Sequence, residues 1–246
     1  MFLQYGIIIV LLVKRNIMTS EKINLYRKNS LTAGALYLLT FVSIPTLALY
    51  KTVKEPGYVL GGGPDTAALT GGLLEIVVAL ACIGSAVALY PVLRKQSQPL
   101  AIGLVASRVL EASLIFIGVA MILTIVALRV QGAADAPLMA GQLLGIMYDK
   151  IFLVSQSFLP AINDLILGIL LYKSQLVPKP LAMIGIVGAF PLVVGLIAVV
   201  YGVIPQGGDM AGLAALLVAL FELSLGFWLV FKGFNQAAAK KLSQKK

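Results

Sequence analysis

Arg108 and Glu111 stand three residues apart inside a long apolar run, Leu104-Val-Ala-Ser-Arg108-Val-Leu-Glu111. On one helix that spacing brings a guanidinium and a carboxylate together. A guanidinium offers five N–H donors, more than one carboxylate can use. Glu222, in another apolar run, is the expected second acceptor, with Asn163 bridging. Asp164 and Glu75 are further acids in apolar surroundings, as is the outlying pair Asp149-Lys150. Such a set has three uses. Arg108 could hold an anionic headgroup or carboxylate. In a low dielectric, one carboxyl beside it keeps its proton and becomes a site of proton exchange. Alternatively, the charges only fix the register of packed helices.

Other chemistries are excluded by what the chain lacks. It has no histidine, which removes Ser-His triads and His-based metal sites. Its single cysteine, Cys82, permits neither an intrachain disulfide nor a cysteine zinc site, and reads as packing. Gly61-Gly-Gly-Pro64 has no Lys-Ser/Thr after it, so it is not a phosphate loop. No cofactor is expected.

The elements that must position these charges are membrane helices. The 246 residues are 60% hydrophobic and 12% charged. A soluble domain averages about 45–50% apolar and about 25% charged, so this composition belongs in lipid. Six runs of about 20 residues or more are long enough to cross a bilayer. They lie near 31–50, 69–92, 100–128, 146–172, 181–204 and 211–232, and turn signals separate them, such as Pro178-Lys-Pro180 and Pro205-Gln-Gly-Gly208. The expected fold is all-α, a polytopic six-helix membrane domain over residues 18–246. Thr40, Ser43 and Pro45 mark a kink in the first span, with hydroxyls covering the freed carbonyls. Residues 1–17 read as an extension ahead of Met18-Thr-Ser-Glu, or as a short interfacial segment.

Charge placement orients the bundle. Fourteen basic residues fall on one side of a six-span chain: Lys14 to Lys28 before the first span, Arg94, Lys95, Lys173 and Lys179 in loops, and Lys232 to Lys246 after the last. The other side has Lys51, Lys54 and Arg129. By the positive-inside rule both termini are cytoplasmic; the expected location is the cell (plasma) membrane. The net charge of +9 is then a topology device that favours anionic lipid headgroups, and nucleic-acid binding is not expected. Tyr90, Tyr172 and Trp228 mark the inner boundary, and Tyr50, Tyr148 and Tyr201 the outer one.

The helix rise converts sequence into depth. Arg108 and Glu111 lie roughly 13–18 Å from Pro99, Glu222 about 15 Å from Lys232, and Asn163-Asp164 about 12–15 Å from Lys173. Three helices thus bring polar groups to one level near the midplane. Glu75 and Asp149-Lys150 fall nearer the outer ends and read as interfacial or vestibule residues.

The residues that carry a resemblance are spread over four spans and the loop before the fifth. They are Leu74-Glu75-Ile, Leu89-Tyr90-Pro-Val-Leu-Arg94, Val105-Ala-Ser-Arg108-Val-Leu-Glu111, Ile162-Asn163 with Leu167-Gly-Ile-Leu-Leu-Tyr172, Leu176-Val-Pro178, and Glu222-Leu-Ser-Leu-Gly-Phe-Trp228. Over about residues 26–235 the chain resembles the DUF4386 family of bacterial multi-pass membrane proteins, whose function is uncharacterised. The resemblance implies that Glu75, Arg108, Glu111, Asn163 and Glu222 are family-type positions; Asp164 lies outside its pattern. It names no reaction.

Three functions are compatible with the sequence. The first is binding or transport of a small amphiphile or a proton at the Arg108, Glu111, Glu222 and Asn163 cluster, with Glu75 and Asp164 as further ligand-binding candidates. Transport through so few spans implies a homodimer. The second is a structural or accessory subunit whose polar cluster only assembles the bundle. The third is a lipid-modifying intramembrane enzyme, disfavoured by the missing histidine and nucleophile motif.

Overall fold

The computed structural model describes residues 24–55, 57–61, 64–131 and 136–244. The extension read at residues 1–17 lies outside the described residues. Among them every regular element is helical. Six helices are long and apolar enough to span a membrane: α1 (Asn24–Leu49), α2 (Thr66–Leu93), α3 (Gln98–Val130), α4 (Leu138–Ser174), α5 (Lys179–Val200) and α6 (Asp209–Phe231). A short helix, α7 (Gln236–Gln244), follows. The expected spans match these within a few residues, except that α4 begins at Leu138 instead of near 146. Its extra turns carry Gly141, Gln142 and Gly145, which interrupt the apolar run without interrupting the helix.

Successive helices pack as neighbours from α2 to α6, and α4 also touches α6. α1 closes the ring against α6. A Cβ on Gly34 would meet the Gly226 carbonyl oxygen at 2.8 Å, and one on Gly226 would meet the Leu38 side chain at 2.8 Å. At the end of α6 the helix leaves its last carbonyls unpaired, and α1 supplies the donors. Arg27 donates to the carbonyls of Leu229 (3.1 Å) and Val230 (2.8 Å), and Ser30 donates to Leu229 (2.8 Å). α7 buries Ala239 and Leu242 against the same end of the bundle, and the Asn235 side chain caps its first turn. Large apolar side chains such as Leu73, Phe190, Val194 and Phe231 are exposed, as lipid-facing positions require.

Two helices are broken where polar groups concentrate. In α1 the α-helix gives way to a 3-10 turn at Phe41–Ser43. The Thr40, Ser43 and Thr46 hydroxyls donate to the carbonyls three residues earlier, at 2.7, 2.9 and 2.6 Å. This is the kink expected from Thr40, Ser43 and Pro45. In α4 a π-helical turn occupies Val154–Phe158. Pro160 has no N–H to give the Gln156 carbonyl, and its ring crowds that carbonyl. The backbone widens instead, and the Leu159 N–H reaches back to the Val154 carbonyl.

A buried Arg108 cluster beside a half-open cavity

Arg108 is 2% exposed, deep in α3, and all four of its terminal N–H groups have partners. One nitrogen donates to Glu111 Oε2 (3.1 Å) and faces Cys82 Sγ (3.6 Å). The other donates to Glu222 Oε1 (2.6 Å) and to the Tyr37 hydroxyl (3.1 Å). Asn163 Nδ2 donates to the same Glu111 oxygen at 2.7 Å. Asp164 comes to 4.0 Å of the guanidinium and is fully buried. The structure thus brings together Arg108, Glu111, Glu222, Asn163 and Asp164, from α3, α4 and α6. Asn163 bridges to Glu111 rather than to Glu222.

Two of the partners were not picked out from sequence. Tyr37, on α1, also lies with its ring 5.2 Å below the guanidinium. Its signal was an aromatic with a polar tip in mid-span, away from either boundary. Cys82 contributes a weak acceptor as well as packing.

The cluster is acid-rich and incompletely paired. One guanidinium faces three carboxyls. Arg108 Nε, Asn163 Oδ1 and both Asp164 oxygens are buried without a hydrogen-bond partner. Beside them lies a cavity of about 210 Å³, lined by Arg108, Glu111, Glu222 and Gln156 among apolar residues of α1, α2, α5 and α6. Its wall on α1 is the broken segment at Thr40–Ile44, and on α4 it is the π turn. The two backbone irregularities therefore both border the cavity lined by Arg108, Glu111 and Glu222.

Glu75 belongs elsewhere. Its sequence position reads as interfacial or vestibule-lining; the structure buries it at 3% exposure, beside a small void. Its two oxygens accept from the hydroxyls of Tyr148 (2.7 Å) and Tyr50 (3.2 Å). Those two tyrosines, read as boundary residues, are buried, because their hydroxyls find a carboxylate to satisfy. Gly71 makes room for the Tyr50 ring: a Cβ there would sit 2.5 Å from Cε1. Outward of Glu75, Lys54 pairs with Asp149 at 2.7 Å, both partly exposed. Arg129 pairs with Asp65 at 3.0 Å, and Tyr58 donates to the same carboxylate. Burial first, and then that hydrogen bond, pushes the Tyr58 phenol up to about 12. Lys150 reaches only Gln206, at 3.5 Å and exposed.

No curated protein and no solved structure matches the chain. Residues 32–233, which hold both breaks and every residue of the two polar clusters, match the family described as a domain of unknown function (DUF4386), and the chain belongs to that family.

Proposed function

We propose that this membrane protein binds a small amphiphile at midplane depth and exchanges protons with it or beside it. The observation that carries this reading is the cavity of about 210 Å³, whose apolar walls converge on Arg108, Glu111 and Glu222. An apolar pocket with a few converging polar groups is the usual form of a ligand site. Helices assembled only for packing would close over such a set, since intramembrane charges are costly to leave beside a void.

The paired state of Arg108 sharpens the ligand class. Its terminal N–H groups are already committed, so an anionic head would have to displace Glu222 or Glu111. Three carboxyls around one guanidinium leave the set formally negative. A proton, or an amphiphile with a neutral or cationic head, is the better electrostatic match. The bundle would lie in the cell (plasma) membrane with both termini cytoplasmic, among anionic lipids, and would act as a homodimer if it transports. The fourteen-to-three asymmetry of basic residues supports that orientation.

The competing reading is that the cluster is structural glue, and the saturation of Arg108 favours it. Native mass spectrometry from mild detergent separates the two. We expect a small bound species on the wild type that is lost from Glu222→Gln and Arg108→Ala. Folded variants with the wild-type bound species, or a wild type that carries nothing, would contradict the binding site.

A further inference from the structure

The two polar clusters are linked by one residue. Gln156, on the π turn of α4, lines the main cavity together with Glu111 and Glu222. It also lines a second void, of about 10 Å³, together with Glu75, Tyr148 and Ser155. A void of that size is at the threshold for holding one water, and a polar lining is what such a water needs. The helices on either side keep the same register. On α3, Ile115 borders the small void one turn beyond Glu111. On α2, Val78 and Cys82 border the main cavity one and two turns beyond Glu75. The separation of the two clusters along α2 is about 10 Å by helix rise.

Glu75 also stands apart from the acids around it. Asp149 has Lys54 and Asp65 has Arg129, each within ion-pair distance. Among the described residues Glu75 has no cation within ion-pair distance, and it accepts from the Tyr50 and Tyr148 hydroxyls, both able to donate and accept. Asp149, the neighbour of Tyr148 in sequence, is partly exposed in its pair with Lys54, whose ammonium lies 5.6 Å over the Tyr148 ring.

We infer that Glu75 and Gln156 form the proton entry to the midplane site, from the face of the bundle that carries the 51–65 loop. A proton arriving near Lys54 and Asp149 passes by way of the Tyr148 hydroxyl to a Glu75 oxygen. From Glu75 it moves through a water held by Ser155 and Gln156 in the small void, and then through further water in the main cavity that Gln156 also lines, to a carboxyl of the Glu111 and Glu222 set. Each transfer forms one O–H bond as it breaks another, and no other reactant is consumed. Gln156 does not ionise; its amide positions the water. The π turn serves this purpose by placing one side chain between two voids, which an unbroken α-helix would direct to only one. The inference rests on the proton-exchanging reading of the midplane site.

The test is hydrogen–deuterium exchange of the protonated-carboxyl infrared band, on the full chain reconstituted in lipid. The midplane band is the one lost in Glu111→Gln or Glu222→Gln. We expect its exchange in D₂O to slow at least tenfold in Gln156→Met and in Glu75→Gln. Because the steps are in series their times add, so the double variant should lie close to the slower single variant and far short of the product of the two effects. Unchanged thermal unfolding verifies that each variant is folded, and Gln156→Glu should restore exchange. A midplane band that exchanges at the wild-type rate in both single variants overturns the entry route and leaves the site intact. A wild type with no band sensitive to Glu111 or Glu222 overturns the proton-exchanging reading and the route with it.

Discussion

The cluster around Arg108 and the cluster around Glu75 are built from the same residue types and differ in how their charges are settled. On the Glu75 side Lys54 and Arg129 each have an acid within ion-pair distance, and Glu75 has a hydroxyl on each oxygen. The void that Glu75 lines is about 10 Å³. On the Arg108 side three acids share one cation, four buried polar atoms lack partners, and the adjacent cavity is some twenty times larger, at about 210 Å³. A settled cluster holds helices together. An unsettled one beside a cavity stores the interactions that a ligand or a proton would complete.

Removing the central cation should separate the two regions most strongly. Arg108→Met strands two buried acids and the part-buried Glu222 and should cost about 3–5 kcal/mol, the scale for stripping one partner from a buried pair. Thermal unfolding in detergent reads this, and adding Glu111→Gln should recover part of the loss. A cost below about 1 kcal/mol would put Arg108 on the scale of a surface pair and undo the contrast.

The glycine contacts come next. Gly34→Ala, at the α1–α6 crossing, and Gly71→Ala, under the Tyr50 ring, should each destabilise by about 1–3 kcal/mol through overpacking. Only Gly71→Ala should shift the tyrosine absorbance associated with Glu75. If both variants shift it, the two regions are mechanically one.

Smaller effects belong to the outer face. Lys54→Met breaks a partly exposed pair and should change stability by about 0–1 kcal/mol, in a salt-dependent way. The Tyr58 phenol is pushed from 10.0 up to about 12, so the folded state keeps a proton that the unfolded chain loses. Its contribution is therefore intact below pH 10 and fades as pH rises toward 12. A Tyr58→Phe variant should lose that part of the alkaline slope, measured by unfolding midpoints across this range.

The sequence made one region far more legible than the other. Arg108, Glu111 and Glu222 announced themselves because a charge in an apolar run demands a partner, and helix rise alone put them on one level. Six spans and the α1 kink followed from run length and from hydroxyls next to a proline. Tyr50 and Tyr148 were opaque for a physical reason. A tyrosine near a helix end has the same composition signal whether it meets headgroups or a carboxylate across the bundle, and only tertiary packing decides. The π turn at Val154–Phe158 had a trace, Pro160 inside an otherwise continuous span. A proline predicts a disturbance there, but neither its type nor that Gln156 would come to border two voids.

The most direct test of the midplane site is the thermal shift produced by octylamine and by octanoate on the detergent-solubilised protein. The account predicts that octylamine raises the unfolding midpoint of the wild type and of Lys54→Met, that Glu222→Gln abolishes the rise, and that octanoate does little in any of them. Equal stabilisation by octanoate, or an octylamine effect that survives Glu222→Gln, would contradict it.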